Sequence, residues 1–171
     1  MASFPYYYFT PYQEDINTAL QGLRQREFEA GRYDPAMYMN DPGLFMSNFL
    51  FPPDVDSIAP GARHSSIEEA IQAGDASGTG SILDIERVSD SPDFLASSPL
   101  SVEWLMRFFG TDKPNREIVE SVIVREESLD EEDVDAWDDF ADEMGGGESR
   151  YFIVYKDDKP SEIFFMGYSV D

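Results

Sequence analysis

The apolar positions fall into short blocks with two different periods. Near the end of the chain, RYFIVY and EIFFMGYSV are dense in aromatic and β-branched residues, and Asp157-Asp158-Lys159-Pro160 joins them. Two such runs around a turn-forming linker predict a β-hairpin over residues 150–169. SILDIERV, residues 81–88, predicts a further strand, and the aromatic segment 4–9 an edge strand. Elsewhere the period is helical. Ile16, Leu20 and Leu23 share a face behind a Thr10-Pro11 start, with Gln13 placed to complete a capping box and Gly31 to stop the helix. Ser65 and Ser66, followed by Glu68 and Glu69, predict a short helix ending near Ala73. Ser101 and Gly110 bracket a helix with the sequence VEWLMRFF. Pro114 introduces NREIVESVIVREE, in which Ile118, Val119, Val122 and Ile123 share a helical face, although the run SVIV suits a strand equally.

Residues 34–63 are rich in proline and predict a long irregular connection. Within it GLFMSNFLF, residues 43–51, reads either as a loop packed across the core or as a docking lid.

One block combines a helical apolar period with dense charge. EESLDEEDVDAWDDFADEM, residues 126–144, has eleven carboxylates and no cation, yet Val134, Trp137, Phe140 and Met144 run through it. Ser128 and Glu131 form a capping box, so residues 128–144 predict an amphipathic helix. At about 100° per residue, Leu129, Val134, Trp137, Phe140, Ala141 and Met144 occupy one side. Glu131, Glu132, Asp135, Asp138, Asp139, Asp142 and Glu143 occupy the other. The apolar side predicts an anchor through Trp137, and the seven carboxylates a displayed surface. Like charges three and four residues apart cost about 0.2–0.5 kcal/mol per pair, so the display works against the helix itself.

Composition fixes the class of partner. The chain is 42% apolar and 14% aromatic, more than a disordered acidic chain carries, so the 171 residues predict one folded domain, 1–171. The net charge of −23 excludes direct nucleic-acid binding and works against anionic membranes; it favours a basic protein surface as partner. There are no cysteines, which removes thiol chemistry and fits a reducing cytoplasm. No segment approaches the roughly 20 apolar residues of a membrane span, and the first residues do not read as a signal peptide.

Candidate chemistry is sparse. DASGTGSILDIE, residues 75–86, resembles the calcium loop of an EF-hand. Asp75, Ser77 and Thr79 stand at the first three ligand positions, Gly80 at the turn and Glu86 at the twelfth position, where a bidentate carboxylate is expected. The resemblance implies Asp75, Ser77, Thr79 and Glu86 as calcium ligands. It departs from the pattern at Ser77 and Thr79, in place of charged ligands, and in RVSDSP, a poor exit helix. Beyond calcium no cofactor is expected. His64 is the sole histidine, and no phosphate loop or nucleophile elbow is present, so no catalytic residue is assigned.

These readings combine into an α+β fold: a small, mainly antiparallel sheet ending in a C-terminal hairpin, with several short helices covering one face. The function expected is non-enzymatic. The acidic surface would bind, and by covering inhibit, a basic protein, in the manner of nucleic-acid mimics and immunity proteins. The alternatives are a metal-binding or hydrolytic protein built on acidic residues, and a housekeeping domain whose acidity reflects high salt.

Overall fold

The computed structural model describes residues 5–40, 57–124 and 131–170. It is an α+β fold around a five-stranded sheet with the order β1-β5-β4-β3-β2. The strands are β1 (Pro5–Pro11), β2 (Arg87–Val88), β3 (Ala96–Pro99), β4 (Ser149–Lys156) and β5 (Lys159–Tyr168). The helices are α1 (Ile16–Ala30), α2 (Asp34–Asn40), α3 (Ile67–Gly74), α4 (Val102–Phe109), α5 (Arg116–Val119) and α6 (Glu131–Glu143).

β4 and β5 pair antiparallel around Asp157 and Asp158, both at positive φ, so the turn has two residues rather than four. Tight hairpin turns need that backbone hand, and Asp tolerates it. The sheet as a whole is mixed, not mainly antiparallel. β1–β5 and β5–β4 are antiparallel, but β3 runs parallel to both β4 and β2. The parallel step from β3 to β4 is a crossover through α4, α5 and α6, since parallel neighbours cannot be joined by a tight turn.

Helices cover both faces of the sheet, where one covered face was expected. Successive side chains of a strand point to opposite faces. On β5, Ile163 and Phe165 enter one core while Phe164 and Met166 enter the other, and all four are buried. On β1, Tyr6 and Tyr8 face the first core, Tyr7 and Phe9 the second. The first core is closed by α1, α2 and α3, the second by α4, α5 and α6. A continuous apolar run such as IFFM is therefore a strand buried on both sides. Gly167, beside it, is held to glycine by crowding: a Cβ there would lie 2.6 Å from the Glu148 carbonyl and 2.7 Å from Tyr6 Oη.

Several boundaries differ from the sequence reading. β1 continues through Thr10 and Pro11, and α1 is capped by Asp15, whose Oδ1 accepts from Thr18 N at 3.1 Å. Thr10 is fixed in the sheet by pairing with Ile163, and its hydroxyl accepts from Arg26 Nη2 at 2.8 Å. Tyr12 N donates to Ser161 O, which places the even residues of β1 toward β5. Pro5 and Pro11 then point outward, where a missing N–H breaks no ladder bond. The expected strand 81–88 is confined to Arg87–Val88; Ile82–Asp84 is a 3-10 turn with Ile82, Leu83 and Ile85 fully buried. Residues 34–40, expected to be irregular, form α2, whereas segment 43–51 lies outside the described residues. After α5, capped by Asn115, the run Glu120–Val124 is a π-helical turn, neither α-helix nor strand. It keeps Val119 and Ile123 in the second core.

Candidate functional site

α6 docks on α4 and the sheet through an aromatic cluster. Phe140 is buried and meets Phe108 and Trp104 edge-on, with ring centroids 5.4 and 5.2 Å apart. The Trp137 ring lies 4.7 Å from Phe108. Edge-to-face and offset packing at these separations is the favoured geometry for aromatic rings. Ala136 and Met144 complete the buried side, and Trp137 is half-buried.

That orientation corrects the expected apolar side. Val134 is 45% exposed and Ala141 is exposed, although both were placed among the anchors. The aromatic rings of α4 set the rotation by packing on Phe140 and Trp137, and small Ala136 allows the close approach. Leu129 and Ser128 lie outside the described residues.

The acidic side divides into two parts. Asp135, Asp138 and Asp142 are exposed and stand opposite the buried quadrant, forming an outward ridge. Glu132, Asp139 and Glu143 lie on the flank toward α4 and are also exposed. Two of these three are engaged: Arg107 donates to Asp139 Oδ2 at 2.6 Å, and Trp104 Nε1 donates to Glu143 Oε2 at 2.9 Å. Arg107 also lies over the Trp104 ring, 5.0 Å from its centroid. These contacts are solvent-exposed, so the ion pair contributes no more than about 1 kcal/mol. They tie this flank of α6 to α4. Glu131 is the first residue of α6.

The calcium-like segment folds around a residue that the motif does not use. Asp84 is buried, and both of its oxygens accept from Thr79 N, at 2.8 and 3.0 Å. The N–H groups of Gly80 and Ser81 also bond to it. Burial nevertheless raises the Asp84 carboxyl above the ordinary range, outweighing these donors. Thr79 is buried with its hydroxyl 2.8 Å from Ser81 Oγ, whereas Asp75, Ser77 and Glu86 are exposed. The backbone carbonyl of Glu86 accepts from Gln21 Nε2. The four expected ligands therefore stand in different environments. Among the described residues, no group of three or more His, Asp or Glu is placed to hold a metal. Asp84 itself was missed; the signal was a carboxylate three residues after a Thr-Gly-Ser run of backbone donors.

Other titratable groups are built into the first core. Arg32 forms a two-pronged pair with Glu27, at 2.8 and 3.2 Å, yet burial holds the Glu27 carboxyl above its usual range. His64 Nδ1 lies 2.8 Å from Tyr33 Oη, so the sole histidine is tied to a core tyrosine. An open cleft of about 180 Å³ runs between Leu105 and the outer edge of β4, lined also by Tyr151, Tyr155 and Asp112. No helix among the described residues is long and apolar enough to cross a membrane. No protein-family model, curated protein or solved structure matches this chain.

Proposed function

We propose that this chain is a non-enzymatic interaction protein that binds a basic protein partner through α6 and, by covering the partner's basic surface, inhibits it. The observation supporting this most is the orientation of α6. Its apolar quadrant is taken up in the core, and Asp135, Asp138 and Asp142 stand free on the opposite side. Three and four residues of helix rise about 4.5 and 6 Å, so the ridge is a regular line of negative charge. A nucleic-acid-binding surface, built to meet a line of phosphate charge, is one kind of partner suited to such a ridge. A net charge of −23 adds a field that steers a cationic partner and raises the rate of encounter.

The experiment uses the full chain as bait in extract from its native host, at low and at high salt. A captured partner is then purified for binding kinetics. The Asp135→Asn, Asp138→Asn, Asp142→Asn triple variant is expected to associate at least about tenfold more slowly, with a shallower salt dependence and a nearly unchanged dissociation rate. An unchanged association rate and salt slope would make the ridge a solvated face and end the proposal.

A further inference from the structure

Beside the acidic ridge lies a second stripe, which the docking of α6 leaves uncovered. Val134 and Ala141 are seven residues apart, two helical turns or about 10 Å, and both are exposed. Trp137 sits between them on the helix surface, three residues from one and four from the other. Its sheet-facing side borders a void of about 10 Å³ shared with Tyr7, Met166 and Tyr168. Trp137 Nε1 is buried without a hydrogen-bond partner. The ridge of Asp135, Asp138 and Asp142 is also two turns long and runs parallel to this stripe. An acidic line and an aliphatic-aromatic line of equal length thus lie side by side on one helix.

We infer that the two stripes form a single docking surface for a basic amphipathic helix of a protein partner. This inference rests on the proposed function and names the chemistry of the partner. Charge complementarity selects the occupant: arginines at three- and four-residue spacing would face the aspartates, and the aliphatic edge of the same helix would cover Val134 and Ala141. Arginine suits the ridge better than lysine, because its planar fork meets a carboxylate with two donors and its face stacks on Trp or Tyr rings. Trp and Tyr at the margin of such a surface are the residue types that dominate binding energy at protein interfaces. The apolar stripe supplies what charge alone does not, a fixed register and a slow release.

The test compares two synthetic peptides of equal charge and length, an arginine-glycine peptide and an amphipathic arginine-leucine helix. Each is titrated into the full chain, with the Trp137 indole N–H followed by NMR and identified through Trp137→Phe. The amphipathic peptide is expected to bind about tenfold tighter and to move the Trp137 indole signal, since it buries two further aliphatic contacts. Val134→Ser with Ala141→Ser, both exposed positions, should bring its affinity down to that of the arginine-glycine peptide. Equal affinities, with shifts confined to Asp135, Asp138 and Asp142, would overturn the joint surface and leave the acidic ridge standing. Binding of neither peptide would overturn both.

Discussion

The two faces of the sheet are held by different means. On the first face, buried polar groups fasten the loops: Asp84 gathers the N–H groups of residues 79–81, and Ile82 N donates to Tyr8 Oη. Arg24 donates to Leu83 O, and Glu27 pairs with Arg32. On the second face the ties are mainly aromatic, running from Phe152 and Phe164 through Phe109 and Phe108 to Phe140 and Trp137. Arg150, on the same side of β4 as Phe152, is buried there and pairs with Glu148 at 3.0 Å, whereas Arg107–Asp139 and Arg116–Glu162 lie nearer the surface. Buried hydrogen bonds fix irregular backbone, which helix packing alone does not do. Ring packing fixes the rotation of a helix and leaves its outer side unconstrained by structure. The second face is accordingly where a carboxylate ridge can be displayed without entering the core.

The largest effect is expected on the aromatic face. Phe140→Ala removes a buried ring shared by Trp104, Phe108 and Trp137, and should cost about 3–5 kcal/mol. That is a large share of a typical stability of about 5–15 kcal/mol, so a chemical denaturation curve should show a strongly lowered midpoint. On the polar face, Asp84→Ala leaves buried N–H groups without their acceptor, and about 2–3 kcal/mol should be lost. Here hydrogen exchange should quicken first around residues 78–85, not in α6. If Asp84→Ala instead released α6, the two faces would not be the separate systems described.

A smaller effect concerns pH. The Glu27 and Asp84 carboxyls lie above the ordinary range when folded, with burial as the main cause. Between the ordinary and the raised values, the folded chain holds protons that the unfolded chain has lost. Stability should therefore be full below that window and fall as pH rises through it. Self-repulsion of the acidic chain acts in the same direction. Asp84→Asn separates the two contributions, because the fall between mildly acidic and neutral pH should shrink in the variant and persist in part. An equal fall in variant and wild type would remove Asp84 from the explanation.

Smallest of all is the ridge itself. Asp135→Asn, Asp138→Asn and Asp142→Asn together relieve like-charge pairs at three- and four-residue spacing, each worth about 0.2–0.5 kcal/mol. The melting temperature should rise slightly at low salt, and the gain should fade at high salt as screening takes over. A marked loss of stability would mean that these aspartates are structural.

Much of this was legible where the signal is local. Ser101 and Gly110 bracket α4 as their chemistry requires, Gly31 closes α1 in the left-handed conformation, and β4 pairs with β5 around a two-residue turn. What stayed hidden depends on partners distant in sequence. β3 has the sequence ASSP, with little strand propensity, and is held by ladders to β2 and β4, with Ser97 Oγ 3.0 Å from Ser149 Oγ beside the latter. Without β3 in view the sheet reads as antiparallel and one-sided. The run ILDI, apolar enough for a strand, is instead drawn into a 3-10 turn by Asp84. On α6 the periodicity alone does not place Val134 and Ala141, since both border the apolar arc. Only the rings of α4 decide that Ala136 goes in and Val134 stays out.

The docked ridge requires that α6 be folded in the free protein, held by its aromatic side with its carboxylates outward. Amide hydrogen exchange of the free chain across Glu131–Glu143, compared with β4 and β5, tests it most directly. A docked helix should show slow exchange at Ala136, Trp137, Phe140 and Met144, opening together with the second core. Phe140→Ala should make those amides fast while those of the Ile82–Asp84 turn stay slow. Fast exchange throughout α6 in the wild type, with the strands still protected, would show an acidic segment that orders only on its partner. The docked ridge would then be contradicted.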